Sequence, residues 1–191
     1  MTEKLGGSKV GNGCIEIAGF KNVKITDINS FLESVRREVG KNQVQFFDAK
    51  LIAGQQHLYF AALNALKAFE NKSNISSSLA VEALLYASAQ RQITKAVDAL
   101  GVKQDSSQVA VLVMAENSRG MAECLKVVSG LIAGERDDAV LELTDEKIEG
   151  IKRLFGISDL EIKAKLKRKG LEREALTDLV VEHVALLAIQ S

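Results

Sequence analysis

Residues Gln108–Ala115 read QVAVLVMA, a near-continuous apolar run that is rich in valine. β-branched side chains favour extended backbone, and a strand that is apolar at successive positions has to be buried on both faces of its sheet. The run therefore predicts the central strand of a sheet, with other elements packed on both sides of it.

Short strands and helices are predicted on either side of this run. The strands are expected at Cys14–Ile17, Val23–Ile25, Val44–Phe47 and Ala139–Leu143. The helices are expected at Ile28–Val39, Gly54–Phe69, Leu79–Leu100, Ser118–Leu131, Thr144–Phe155 and Glu172–Ile189. Because helices outweigh short strands and occur in pairs between them, we expect the α/β (α+β) class: a small mixed sheet covered by helices, in a single layered domain. This domain is expected to span residues 13–191, behind a flexible leader of residues 1–12.

The composition is typical of a soluble intracellular protein. Of the 191 residues, 47% are hydrophobic and 26% charged, and no apolar run approaches the roughly 20 residues that a membrane-spanning helix requires. Residues 1–13 lack the charged start and apolar stretch of an export signal, so a cytoplasmic location without membrane contact is expected. Lys and Arg (25) balance Asp and Glu (25), so any nucleic-acid binding must come from a local positive patch.

The sequence supplies few residues for catalysis. Cys14 and Cys124 lie far apart without Cys-x-x-Cys spacing, and His57 and His183 have no second histidine at i+4. Both histidines are better explained as packed or surface residues than as metal ligands. We therefore predict that the protein is not an enzyme and has no catalytic residue, no metal and no cofactor. A small-molecule enzyme or sensor would instead need a deep pocket lined by convergent polar groups.

The first informative feature is the polar triplet Gln90–Gln92, which interrupts an otherwise apolar predicted helix and follows three small residues, Ala87–Ala89. Small residues allow a ligand to approach the backbone. Amide side chains match base edges, and the guanidinium of Arg91 can bind a phosphate or stack on a base, so the triplet suits a single-stranded nucleotide. The alternative is a helix turn that faces solvent, or amides that satisfy a buried loop.

The last predicted helix is apolar over most of its circumference, with a polar strip only through Glu174, Asp178 and Glu182. Such a helix has to be buried on two sides, and the second side of a terminal helix is often covered by a partner. The alternative is complete burial within the chain itself.

A local cluster of positive charge precedes this helix. It consists of Lys163, Lys165, Lys167, Arg168, Lys169 and Arg173. Such runs are usually solvated surface, although this one could supply phosphate contacts that weaken with salt.

Several of these segments resemble the PRPK-binding protein family, the small kinase-binding subunit of the KEOPS complex, in its archaeal form. The resembling segments are Ala49–Ala53, His57–Ala68, Asn74–Ile93 and Asp137–Glu142. The most specific part is Ser88–Ile93, SAQRQI, in which Ala89 stands where the family usually has glycine.

The resemblance implies a noncatalytic subunit with two partners. The first is the N-lobe of the complex's small atypical kinase/ATPase, and the complex places a threonylcarbamoyl group on an adenosine beside the tRNA anticodon by means of another subunit. The second is the single-stranded 3′ CCA end of tRNA. By position, the RNA-binding role falls on Asn74, Ser78, Ser88, Ala89, Gln90, Arg91, Gln92 and Lys95. The kinase interface falls on Leu176, Val180, Val184, Leu187 and Ile189. The alternative is a purely structural kinase-binding adaptor without RNA contact.

Overall fold

The computed structural model describes residues 8–10, 13–166, 168 and 170–189. Its strands are β1 (Ser8–Val10), β2 (Gly13–Lys21), β3 (Gln43–Asp48), β4 (Val109–Ala115) and β5 (Glu135–Arg136). Its helices are α1 (Ile28–Val39), α2 (Gln55–Glu70), α3 (Leu79–Ser88), α4 (Ile93–Leu100), α5 (Ser118–Leu131), α6 (Asp145–Phe155), α7 (Asp159–Lys165) and α8 (Glu172–Leu187). In this part of the chain, no helix is long and apolar enough to cross a membrane.

The valine-rich strand β4 lies in the middle of the sheet, as predicted. The strand order is β1-β2-β4-β3, and β5 pairs with the far end of β2. Every pairing among the described strands is antiparallel, so the expectation of a mixed sheet is corrected. The helical connection through α1 does leave β2 and β3 pointing the same way, but β4 lies between them and pairs antiparallel with both.

Helices cover both faces of this sheet, which confirms the α/β class and the single layered domain. Along β4, Ala110, Leu112 and Met114 pack against α2, α3 and α4, together with the end of α8. The alternate residues Val109 and Val111 pack against α1 and α5. Because successive side chains of a strand point to opposite faces, one uninterrupted apolar run supplies both cores. A third cluster joins α6 and α7 to the first half of α8.

Several predicted segments differ from the structure. Residues 8–10 of the expected flexible leader form β1, which pairs with β2, while residues 1–7, 11 and 12 lie outside the described residues. The strand predicted at Cys14–Ile17 is confirmed as part of a longer strand, β2, whereas Val23–Ile25 is not a strand.

The strand predicted at Ala139–Leu143 is also wrong, because residues Asp138–Leu141 form a 3₁₀ turn. The backbone of Gly19 holds this turn: its carbonyl accepts from the Asp137 N–H at 2.9 Å, and its N–H donates to the Asp138 carboxylate at 2.9 Å. A Cβ on Gly19 would lie 2.5 Å from the Asp137 carbonyl oxygen, so only glycine allows this approach.

Candidate functional site

The predicted helix Leu79–Leu100 is two helices, α3 and α4. The break between them falls within the motif Ser88–Ile93. Ala89 has left-handed backbone angles (φ 50°, ψ 36°) and caps α3. Its N–H and that of Gln90 donate back to the last turn of α3, so the chain leaves the helix there. For a residue with a Cβ this conformation costs roughly 1–2 kcal/mol. The glycine usual in the resembling family has no such cost.

The break exposes the polar triplet. Arg91 and Gln92 are exposed, and so is Lys95, one turn into α4. Gln90 is half-buried, and among the described residues neither its amide nor that of Gln92 forms a hydrogen bond. The alternative in which these amides satisfy a buried loop is therefore excluded.

Three of the predicted RNA-binding side chains have internal partners instead. Ser88 is buried, and its hydroxyl donates to the Leu84 carbonyl at 2.8 Å. The Asn74 amide donates to the Ser76 carbonyl at 3.0 Å, and the Ser78 hydroxyl caps α3 by accepting from the Val81 N–H at 3.4 Å. Asn74 and Ser78 also lie at the opposite end of α3 from the triplet, about 15 Å away along a helix of this length. The structure thus brings together Ala89, Gln90, Arg91, Gln92 and Lys95 but not these three side chains.

A buried carboxylate, Glu82, organises the start of α3. Its side chain is fully buried and accepts from the Ile75 N–H at 3.0 Å and from the Ser76 N–H at 2.7 Å. Its burial was not predicted from the sequence. The available signal was its position among apolar residues in LAVEALLYAS, where a solvated acid is not expected.

A buried histidine, His57, organises the other end of α3. The Ala53 N–H donates to Nδ1 at 3.2 Å, and Nε2 then carries the proton that it donates to the Ala87 carbonyl at 2.7 Å. Complete burial lowers the pKa of His57 to about 4, although the bond to Ala87 opposes that shift. The interpretation of His57 as a packed residue is confirmed. It joins the first turn of α2 to the residue before Ser88.

The predicted kinase-facing residues of α8 point inward. Leu176 and Val180 are buried against α6 and α7, and Val184 and Leu187 are buried against α2 and α3. Their assignment to a partner surface is corrected, because side chains enclosed by the chain's own core cannot contact another protein. Ile189, just after the helix, is the one member of that set that is exposed, at 76%.

The outer side of the α8 end carries a second apolar residue, Leu186, which is 44% exposed. The N–H of Ile189 donates to its carbonyl at 3.2 Å, so the two residues belong to the same final turn. Ile189 was among the predicted interface residues, whereas Leu186 was missed, because an apolar helix does not reveal which of its faces is covered.

The basic cluster is partly neutralised. Lys165 forms a hydrogen-bonded ion pair with Glu182 of α8, and Arg173 pairs with Asp145 at 2.8 Å. Lys167 and Lys169 lie outside the described residues. Two of the described cations therefore fasten α7 and α8 to neighbouring elements.

In the described part of the chain, no group of three or more His, Cys, Asp or Glu side chains could hold a metal ion. The two cysteines are buried and form no disulfide.

Comparisons with known proteins identify the family. A family model described as kinase binding protein CGI-121 matches residues 20–188. The chain is also similar to a protein of Methanocaldococcus jannaschii described as regulatory protein Cgi121. The two are 30% identical over 138 residues, which cover 72% of this chain and 85% of the relative. The resemblance drawn from the sequence motifs is thereby confirmed.

Proposed function

The chain belongs to the kinase binding protein CGI-121 family, and from that premise we propose that it is a noncatalytic, cytoplasmic subunit that binds the small atypical kinase/ATPase of a KEOPS complex. The match of the family model over residues 20–188 is the observation that carries this proposal. A kinase-binding protein needs a surface for its partner, and the chain offers one at the end of α8.

The proposed kinase contact is the exposed final turn that contains Leu186 and Ile189. Exposed apolar side chains that adjoin one another, as these two do, are more typical of a protein interface than exposed apolar residues that occur singly. The same helix is anchored in the core by Val184 and Leu187, so the contact would be presented on a rigid element. Of the interface residues expected from the sequence, this surface keeps only Ile189, and it lies at the end of the same helix.

Charge placed in this turn should disrupt the complex. We expect Leu186→Glu combined with Ile189→Glu to weaken binding to the kinase by at least about tenfold, because an interface would have to bury two carboxylates. Binding is measured by isothermal titration calorimetry with the purified kinase. Circular dichroism checks that the variant is folded.

Val97→Glu is the matched control, since Val97 on α4 has the same 44% exposure as Leu186. It should leave kinase affinity unchanged. Loss of binding in the control, with normal binding in the double variant, would move the interface to α4 and contradict the proposal.

We further propose that the open turn between α3 and α4 receives the single-stranded 3′ CCA end of tRNA. Two exposed cations, Arg91 and Lys95, can bind phosphates, and the amides of Gln90 and Gln92 remain available to base edges. The small Ala89 precedes them and allows a base to come close to the backbone. These features support the RNA-recruiting function over a kinase adaptor without RNA contact.

Reversal of charge at Arg91 should separate these two functions. We expect Arg91→Glu to weaken binding to a CCA-ended RNA by about tenfold and to reduce its salt dependence, since phosphate contacts release counterions. Fluorescence anisotropy over a series of salt concentrations measures both effects. Kinase affinity should stay normal.

Lys126→Glu is the control for this prediction, because Lys126 is exposed on α5, on the opposite face of the sheet. An RNA affinity that falls equally in both variants would indicate nonspecific attraction. An affinity unchanged by Arg91→Glu would favour the adaptor without RNA contact.

A further inference from the structure

A cleft lies at one end of the sheet. Its volume is about 520 Å³. The end of β2, the 3₁₀ turns at residues 49–51 and 138–141, and the start of α6 enclose it. Its polar lining includes Lys21, Lys50, Gln108, Asp137, Thr144 and Lys147. Neither proposed partner surface uses any of these residues.

Lys147 carries a buried ammonium group in the lining of this cleft. It is only 7% exposed, and among the described residues the Val140 carbonyl, 2.6 Å from Nζ, is its one hydrogen-bond acceptor. Burial lowers its pKa to about 8, and the negative charges of Asp48 and Glu142 only partly oppose that shift. Within the part of the chain that the structure describes, Lys147 has no ion-pair partner, and an anion that reaches such a buried ammonium group would accept from its unused donors.

The other charged residues of the cleft leave room for such an anion. Asp137 is already engaged, by the Lys21 ammonium at 3.0 Å and by the Ala139 N–H at 3.1 Å. Asp48 does not line the cleft, and its carboxylate accepts a hydrogen bond from the Ser106 hydroxyl at 2.7 Å. Lys50 is exposed and forms no ion pair within the described residues.

Glu146 lines the cleft from an exposed position, and Glu142 is exposed as well. Water therefore screens both carboxylates, whereas the charge of Lys147 is enclosed.

The start of α6 adds a further favourable group. Thr144 is the residue at which this helix begins, and its side chain makes no capping hydrogen bond. Its hydroxyl therefore remains available, and the positive end of the helix dipole lies at the wall of the cleft. Lys147 and the start of the helix both belong to α6, and both line the cleft.

We propose that this cleft binds a small organic anion, whose phosphate or carboxylate group lies between Lys147, Lys50 and the start of α6. The volume is that of a site for a small molecule, larger than a single phosphate group requires. Apolar walls from Leu51, Ala139 and Val140 would contact the rest of the ligand.

The test is a ¹H–¹⁵N NMR titration of the full chain at constant ionic strength, with inorganic phosphate, AMP and succinate as probes. We expect saturable shifts of the amide signals of residues 144–147 with at least one probe. AMP binding at least tenfold more tightly than phosphate would identify the anion as part of a nucleotide, whereas preference for succinate would identify a carboxylic acid.

Three lysine variants test whether the anion binds in this cleft. Lys147→Met and Lys50→Ala should each lower the affinity for the tightest-binding probe by at least fivefold. Lys24→Ala, at an exposed lysine outside the cleft, should leave that affinity unchanged. Lys50 is on the surface, so its variant remains informative even if Lys147→Met folds poorly. Shifts that stay linear with every probe, or affinities equal in wild type and Lys50→Ala, would overturn the proposal.

Discussion

Replacing Glu82 with Ala is expected to lower the free energy of unfolding by about 3 kcal/mol, since hydrogen bonds to a charged acceptor contribute about 1.5–3 kcal/mol each. The carboxylate accepts from the N–H groups of Ile75 and Ser76, and Ser76 is itself buried. Without Glu82 both donors would lose their acceptor, and the Ser76 N–H would be left buried without a partner. The loop that leads into α3 would then detach, and urea denaturation measures the loss.

Two comparisons make this prediction specific. Glu82→Gln retains one acceptor oxygen and should cost about 1 kcal/mol. Glu70→Ala, at an exposed residue, should change stability by less than about 0.5 kcal/mol. Hydrogen exchange at the amides of Ile75 and Ser76 should accelerate in Glu82→Ala. Equal losses for Glu82→Ala and Glu70→Ala would show that the buried contact contributes nothing.

Acidification is expected to remove about 3 kcal/mol of stability through His57 alone, at 1.36 kcal/mol for each pKa unit. The pKa of His57 falls from 6.5 to about 4 on folding. Between these pH values the unfolded chain binds a proton that the folded chain does not, so stability is complete above pH 6.5 and declines toward pH 4. Below pH 4 both forms are protonated and the loss does not increase further.

His57→Leu isolates this effect. The variant should be less stable than the wild type at pH 7, because the Ala53 N–H and the Ala87 carbonyl lose their partner. Its stability should nevertheless decline less between pH 6.5 and 4. Surface carboxylates whose pKa is lowered, such as Asp27 and Asp159, act equally in both proteins. Parallel pH profiles for the two proteins would contradict the role of His57.

The sheet was predictable from sequence because burial on both faces leaves a direct pattern. The run around Val111 has no polar residue to assign to a solvent face, and the structure places it between β2 and β3. Helix starts with side-chain acceptors were also predictable, such as the caps at Asp27 and Asn117. Both features depend on residues close together in the chain.

The break at Ala89 was not predictable from the residues by propensity, because alanine is the best helix former and rarely adopts a positive φ. The left-handed backbone conformation of Ala89 is instead determined by the packing of the elements around it. Ala89 also packs against the cluster formed by α6 and α8, far away in sequence. Tertiary packing therefore outweighs the helix propensity of alanine at this position.

The orientation of α8 was partly predictable. Leu176, Val180, Val184 and Leu187 follow spacings of four, four and three residues, which make the most continuous apolar stripe of the helix. The most continuous apolar stripe of a helix is the face that packs into the domain's own core. A partner protein would therefore contact residues outside that stripe. Resemblance alone could not make that distinction, since it identifies the helix and not the face.

The two buried anchors of α3 have a thermodynamic consequence for any ligand of the turn that follows it. Glu82 holds the start of this helix and His57 holds its end, so the turn between α3 and α4 is already fixed before any ligand binds. If the proposed single-stranded RNA binds this turn, the protein should need little further ordering, and the entropic penalty of association would fall mainly on the RNA.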